Sequence, residues 1–398
     1  MSIPASASTV AMASGTGVGV WKVRAVGMSR PRLVLASRSA GSPSRCHSRS
    51  PLVNQPSGRY MIAVRAVARE ERDMKFGLPM YGLSPRHQPE AARVAEENGY
   101  ESVWVPEHLV LPAELPSTYL YTADGRPPIE PRTPMYDPWV VLAAIAASTE
   151  RIRLATNVYV LPLRHPVITA RSVVTLDRVS GGRVTLGVGV GWLAEEFGAV
   201  GMSFHDRGDR TDEVIPLLRR LWSEETVEHK GRHYAFGPVA FEPKPVQRYG
   251  AGRGIPIEVG GTSPPALRRA GRLGDGWIEI GARDLDDVAR MLAVVRAARA
   301  EAGRTDEPFE VTCSLPGDLD TVRRAAELGV TRVVAAPVRG HTGRSGGRGG
   351  SSPHNDAGRS GGRGGSSPHS DAGRATKEDV LDGIKRFADE VIARTGDG

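Results

Sequence analysis

Two cysteines, Cys46 and Cys313, are all that 398 residues contain. That is too few for a disulfide framework or a cysteine-built metal cluster, so a reducing, cytoplasmic compartment is the expectation. Long apolar runs are missing too: the most apolar stretch, Trp139 to Ala147, is too short to cross a bilayer. There is no G-x-S-x-G nucleophile elbow and no His and carboxylate set with metal-ligand spacing. Acidic residues are absent from residues 1–69, which hold ten Lys or Arg. The formal charge of +7 is therefore misleading, because the rest of the chain carries 42 basic against 45 acidic residues. A mildly acidic body lacks the concentrated positive face that nucleic-acid binding needs.

Residues 1–73 are rich in Ser, Ala, Arg and Pro. Their composition resembles a transit peptide, and equally translation from a start placed too early, since Met74 opens a strand directly. The second reading is preferred, and the segment is expected to be disordered or non-native. A further low-complexity stretch spans 338–375, where two fifteen-residue copies, GRSGGRGGSSPHNDA from Gly343 and GRSGGRGGSSPHSDA from Gly358, follow one another. Twelve glycines without apolar periodicity give too little burial to repay ordering. An exposed insertion, dispensable for the core, is expected; its six arginines against two aspartates are compatible with contact to phosphate or an acidic partner.

Between these segments short apolar strands alternate with amphipathic helices. Strands are read at 75–80, 102–106, 152–158, 183–190, 256–260, 275–280, 309–315 and 331–337. Helices are read at 89–97, up to Ser148, at 165–176, 209–222, 264–272, 284–302 and 318–328, with the last at 377–392 after the insertion. A Gly- and Pro-rich excursion over about 224–253 has room for a hairpin. Eight β/α units predict an α/β fold, a TIM-type (β/α)8 barrel with body 74–337 and a final helix in 376–398; an open doubly wound sheet is the competing arrangement. In a barrel the ligand site lies at the strand C-termini.

Several strand ends carry chemistry. Glu107 and His108 follow the second strand: the imidazole is suited to proton exchange or hydrogen bonding, with Glu107 orienting it, binding a polar group, or belonging to a loop salt bridge. GVGVG at 187–191 is not the G-x-G-x-x-G fingerprint and lies in a strand. Its small residues either leave backbone beside a planar ligand or relieve crowding inside the barrel. In GGTSPPALRRA at 260–270, Thr262 and Ser263 cap the next helix, and free N–H groups with two hydroxyls form a candidate phosphate seat. His165, before a helix, reads as a local turn residue. With no metal set, hydride chemistry here calls for an organic cofactor.

VWVPEH at 103–108, ATNVYVLPLRHP at 155–166, LDRVSGGRVTLGVGVGW at 176–192 and GGTSPPALRRAGRLGDGW at 260–277 together resemble the bacterial luciferase-like superfamily, in its coenzyme F420-dependent oxidoreductase branch. The resemblance implies a barrel holding a deazaflavin or flavin, with the ring in the central cavity and the phosphate at later loops. It implies a catalytic role for His108, beside the ring; Glu107, from its position next to it, is a weaker acid/base candidate. Asn157 and Val158 match a non-proline cis peptide under the ring. Gly189, Val190, Gly191 and Trp192 match the fourth-strand site, and Gly260, Gly261, Thr262 and Ser263 the phosphate loop. Glu195 and Glu196 match a position that either joins the pocket or caps the next helix. The implied activity is F420-dependent hydride transfer with a small organic substrate. The alternatives are an FMN-dependent monooxygenase using O2 and a noncatalytic cofactor-binding or interaction protein. A homo-oligomer is left open, and no nucleic-acid or membrane partner is expected.

Overall fold

Every second residue of the barrel strands points to the barrel axis, and the chain has placed side chains there that fit only around one another. The computed structural model describes residues 74–395 apart from 115–117, 120–121, 123–124, 128, 253, 316 and 338–375. The expectations for residues 1–73 and for the repeats at 338–375 lie outside the described residues.

Strands β1 (Lys75–Pro79), β2 (Ser102–Val105), β3 (Arg153–Thr156), β5 (Val184–Gly189), β8 (Ile257–Gly260), β9 (Gly276–Glu279), β10 (Glu310–Cys313) and β11 (Arg332–Val334) pair in parallel in that order. β11 returns to β1 at Phe76↔Val333, and the eight strands close. The two-residue β4 (Tyr159–Val160) resumes pairing with the end of β5, at Val188 and Gly189. Helices α1 (Gln88–Glu97), α2 (Pro138–Ala146), α3 (Pro166–Ser180), α4 (Ala194–Ala199), α5 (Arg207–Ser223), α6 (Tyr249–Gly252), α7 (Pro264–Leu273), α8 (Leu285–Glu301), α9 (Leu319–Leu328) and α10 (Lys377–Phe387) connect them. No described helix is long and apolar enough to cross a membrane. The barrel is thus the predicted (β/α)8 fold, and the open sheet is excluded by its closure.

Several connections add to a plain β/α unit. The excursion after α5 contains the antiparallel hairpin β6 (Thr226–Lys230) and β7 (Ala235–Ala240). Two carboxylates of α5 hold it: Glu213 accepts from the His233 and Tyr234 N–H groups at 2.9 and 3.0 Å and lies 2.9 Å from His229 Nε2, and Asp209 pairs with Arg232 at 2.9 Å. The final helix begins with a Thr376/Asp379 capping box and seals the barrel. Its Phe387 packs edge-on against Phe76, with ring centroids 5.7 Å apart. Beyond Phe387 the backbone widens into a π-helical turn, Ala388–Ile392, where the sequence reading continues a plain helix.

The base of the barrel interior is charged. Arg332 donates to Glu258 at 2.7 Å, to Thr312 at 2.7 Å and to Glu101 at 3.0 Å, with Arg332, Glu258 and Thr312 all buried. Burial holds the Glu258 carboxyl above its ordinary range, and Arg332 pulls it back down. Above this lies an apolar plug of Trp104, Ala155, Ile278 and Val334. Glycine makes the plug fit: a Cβ at Gly77 would meet the Trp104 indole, and one at Gly187 would run into the Thr156 carbonyl oxygen and Ile278.

Replacing Arg332 by Met strands a buried carboxylate. We expect Arg332→Met to lose about 3–5 kcal/mol at neutral pH, the usual result of removing one partner of a buried pair. Without Arg332 the Glu258 carboxyl rises further, so the loss is greatest at neutral and alkaline pH and shrinks as acid protonates it. Urea melts of the variant and the parent at pH 5 and pH 8 measure this; an equal loss at both values would contradict the assignment.

Candidate functional site

At the C-terminal mouth, the end of β2 delivers two neighbouring polar side chains that go to different partners. Glu107 is 4% exposed, accepts from the Val160 N–H at 2.7 Å, and forms an ion pair with Arg164. The Arg164 guanidinium in turn lies over the Tyr159 ring, 4.6 Å from its centroid. Burial pushes the Glu107 carboxyl up to about 7, opposed by Arg164 and the Val160 N–H and assisted by the neighbouring charge of Glu196. The loop salt bridge, one of the roles open to Glu107 from sequence, is present, tying β2 to the turn after β4.

His108 finds its carboxylate elsewhere. Its Nδ1 lies 3.0 Å from Oε2 of Glu196, and the other oxygen of Glu196 accepts the Leu109 N–H. Glu196 is fully buried on α4, a six-residue helix that the sequence reading passed over because it has one and a half turns and no side-chain cap. Of the two neighbouring glutamates, Glu196 is the one that contacts His108. Trp192 stands edge-on to the His108 ring at 5.9 Å and 88°, and Tyr119, from the long loop after β2, packs edge-on against Trp192 at 4.9 Å.

The floor is apolar. The Asn157–Val158 peptide is cis, as the resemblance implied. Val158 and Ile280 are half-buried and cap the Trp104–Ile278 plug. Val158 sits between two glycines, since a Cβ at Gly189 or at Gly260 would come within 2.6 or 2.7 Å of it. Gly191, with φ +80°, faces Val160 and Phe197 just as closely. Crowding within the protein, one of the two roles considered for GVGVG, is present at these glycines. Val190 between them is half-buried.

Across the mouth lies the loop Gly260–Ser263. Gly261 has φ +125°, donates to the Ile278 carbonyl at 3.2 Å, and accepts from the Trp277 indole at 2.9 Å. Ser263 is the N-cap of α7 and accepts from Ala266 N–H at 3.4 Å. Pro264 and Pro265 occupy the first two helical positions and have no N–H to offer. The first turn of α7 therefore presents fewer donors than the sequence suggested. What remains for an anion is the half-exposed Thr262, the exposed Ser263 and the positive end of the helix.

His165 is the N-cap of α3, its Nδ1 accepting from Val167 N–H at 3.3 Å, which is the local role expected of it. It also lines an open apolar groove with Ile168, Phe236 and Phe241 that contains none of the strand-end residues above. The mouth thus combines an apolar floor, one imidazole paired with a buried carboxylate, an aromatic neighbour and a hydroxyl-bearing helix start. That set suits a planar redox ring with a phosphate, and the half-exposed Val158 and Ile280 are the surface such a ring would cover.

Glu107 makes a pH-dependent contribution. With its carboxyl raised from the ordinary range to about 7, the folded chain holds a proton that the unfolded chain has lost, so this group stabilises the fold at acid pH and ceases to as pH rises through about 7. We expect Glu107→Gln to fold, and its melting temperature to fall less steeply than the parent's between pH 5 and 8. Parallel slopes would show that Glu107 does not titrate there.

Comparison with known proteins agrees with this geometry. A Mycobacterium tuberculosis protein of uncharacterized function is 38% identical over 245 residues, 61% of this chain and 82% of that one. An F420-dependent glucose-6-phosphate dehydrogenase of Kineococcus radiotolerans is 31% identical over 262 residues, 63% of this chain and 71% of that one. Among solved structures, an F420-dependent secondary alcohol dehydrogenase in complex with an F420-acetone adduct matches with a TM-score of 0.51, over 64% of this chain and 74% of that one. Its 23% identity speaks for the fold alone. Residues 71–360, which run from before β1 to beyond β11, match the family described as luciferase-like monooxygenase, and the chain belongs to that family.

Proposed function

We propose that this flavin- or deazaflavin-dependent oxidoreductase is a coenzyme F420 enzyme that transfers hydride between the deazaflavin and a small organic substrate. The observation that carries the reading is the imidazole of His108, held by Glu196 at the edge of an apolar floor in a chain 31% identical to a protein named as an F420-dependent dehydrogenase. Bound deazaflavin supplies a site that gives or accepts a hydride. The residues of the chain do the rest. Val158 and Ile280, backed by the buried plug, exclude water beneath the ring; Asn157 and Val158 shape that face; Gly189 and Gly260 leave the space that Val158 fills. His108 hydrogen-bonds or exchanges a proton at the ring edge. Trp192, with Val190 and Gly191, walls the substrate side, while Gly260, Gly261, Thr262 and Ser263 hold the phosphate at the start of α7.

Equilibrium binding and redox turnover of the full chain with F420 and with FMN, under matched conditions, decide the coenzyme. F420 is expected to bind and to cycle with substrate. Tight FMN binding without F420 binding, and oxygen uptake coupled to substrate oxidation, would instead identify the monooxygenase.

The phosphate seat is tested by Thr262→Ala/Ser263→Gly. Glycine keeps an acceptable N-cap at a cost of a few tenths of a kcal/mol, whereas alanine loses about 1 kcal/mol, so the hydroxyls go while the helix stays. F420 affinity is expected to fall about tenfold, one charge-assisted hydrogen bond's worth, with the melting temperature nearly unchanged. Unaltered affinity would place the phosphate elsewhere.

A further inference from the structure

Glu196 has two acceptor oxygens, and both are taken from the end of β2: one faces Nδ1 of His108 at 3.0 Å, the other the Leu109 N–H. It is fully buried, and it reaches this place from a different strand end, eighty-eight residues along the chain from His108. We propose that Glu196 is the positioning residue of His108, fixing the hydrogen of the neutral ring on Nδ1 and leaving the Nε2 lone pair for the mouth of the site.

A carboxylate accepts and does not donate, so the ring nitrogen facing it carries the hydrogen, and the other nitrogen is left as the acceptor. Trp192 packs against the imidazole at 88° to its plane, with ring centroids 5.9 Å apart. An amide cannot stand in for Glu196. Both neighbours are donors, and glutamine offers one acceptor, so either His108 or Leu109 would face its NH2 group. Glu107, although adjacent to His108 in sequence, is committed to Arg164 and the Val160 N–H. The orienting carboxylate is therefore the remote one. Any positive charge that the ring acquires is then met by a buried carboxylate behind it, as in other carboxylate–imidazole pairs. The catalytic weight of this tautomer rests on the reading of His108 as the residue at the ring edge; the tautomer itself does not.

The ring is read directly in full chain labelled with 15N-histidine, without coenzyme, using His108→Gln to assign its signals. Long-range 1H–15N correlations are expected to show hydrogen on Nδ1 in the parent chain and a mixture or the Nε2–H form in Glu196→Gln. A parent ring with hydrogen on Nε2 would overturn the proposal without any variant. Turnover with F420 forms the second arm. Glu196→Gln is expected to lower kcat at least tenfold, on the order of what a misoriented imidazole loses, and to add nothing further in a His108→Ala background. Multiplying losses in that background would mean that Glu196 acts otherwise than through His108. A purely structural effect of the substitution, at the Leu109 N–H, appears instead as a drop in melting temperature in either background. Absence of turnover with any deazaflavin or flavin would sink the proposed function and leave the tautomer result standing.

Discussion

Closing eight short strands leaves an interior just wide enough to be filled by side chains, and everything at the site rests on how that narrow space is shared. Large residues on the axis require their neighbours to have no side chain at all. Trp104 faces Gly77, Ile278 faces Gly187, and Val158 lies between Gly189 and Gly260. The result is a solid column with a charged base around Arg332 and an apolar top at Val158 and Ile280. A ligand lying across the top of this column would meet the strand-end residues.

The same crowding explains why the polar residues of the mouth are few and firmly held. A buried carboxylate is tolerated only with its oxygens satisfied. Glu107 meets that demand with Arg164 and a backbone N–H, Glu196 with His108 and a backbone N–H. Each carboxylate thereby stitches the end of β2 to another part of the rim: Glu107 to the turn after β4, Glu196 to the helix after β5. The imidazole between them inherits its orientation from this stitching and from Trp192, so its position is a property of three strand ends together.

Much of this was legible in the residue string because its physics is local. Apolar alternation and runs, Pro and Gly punctuation and capping residues mark elements within a few residues of themselves, which is why strands and most helices fall where expected and why the hairpin after α5 was visible. His165 could be read as a turn residue because an N-cap is defined by the three residues after it. Where local signals are short or mixed the reading slipped. α4 has six residues and no side-chain cap, and the π-helical turn after Phe387 carries no sequence mark.

By itself the sequence determined the order of strands and helices, the eight β/α units that predict a barrel, and the presence at strand ends of an imidazole, a run of glycines and a hydroxyl-bearing helix start. Tertiary structure alone decided which groups face one another. Glu107 is next to His108 in the chain, yet successive residues project in different directions, so it serves Arg164 while the distant Glu196 serves His108. The glycines of GVGVG leave two roles open in sequence, room beside a ligand or relief of crowding, and it is the closed barrel that brings Val158, Val160 and Ile278 against them. Pairings of this kind depend on closure of the barrel, a contact between residues far apart in sequence, and no local propensity encodes them.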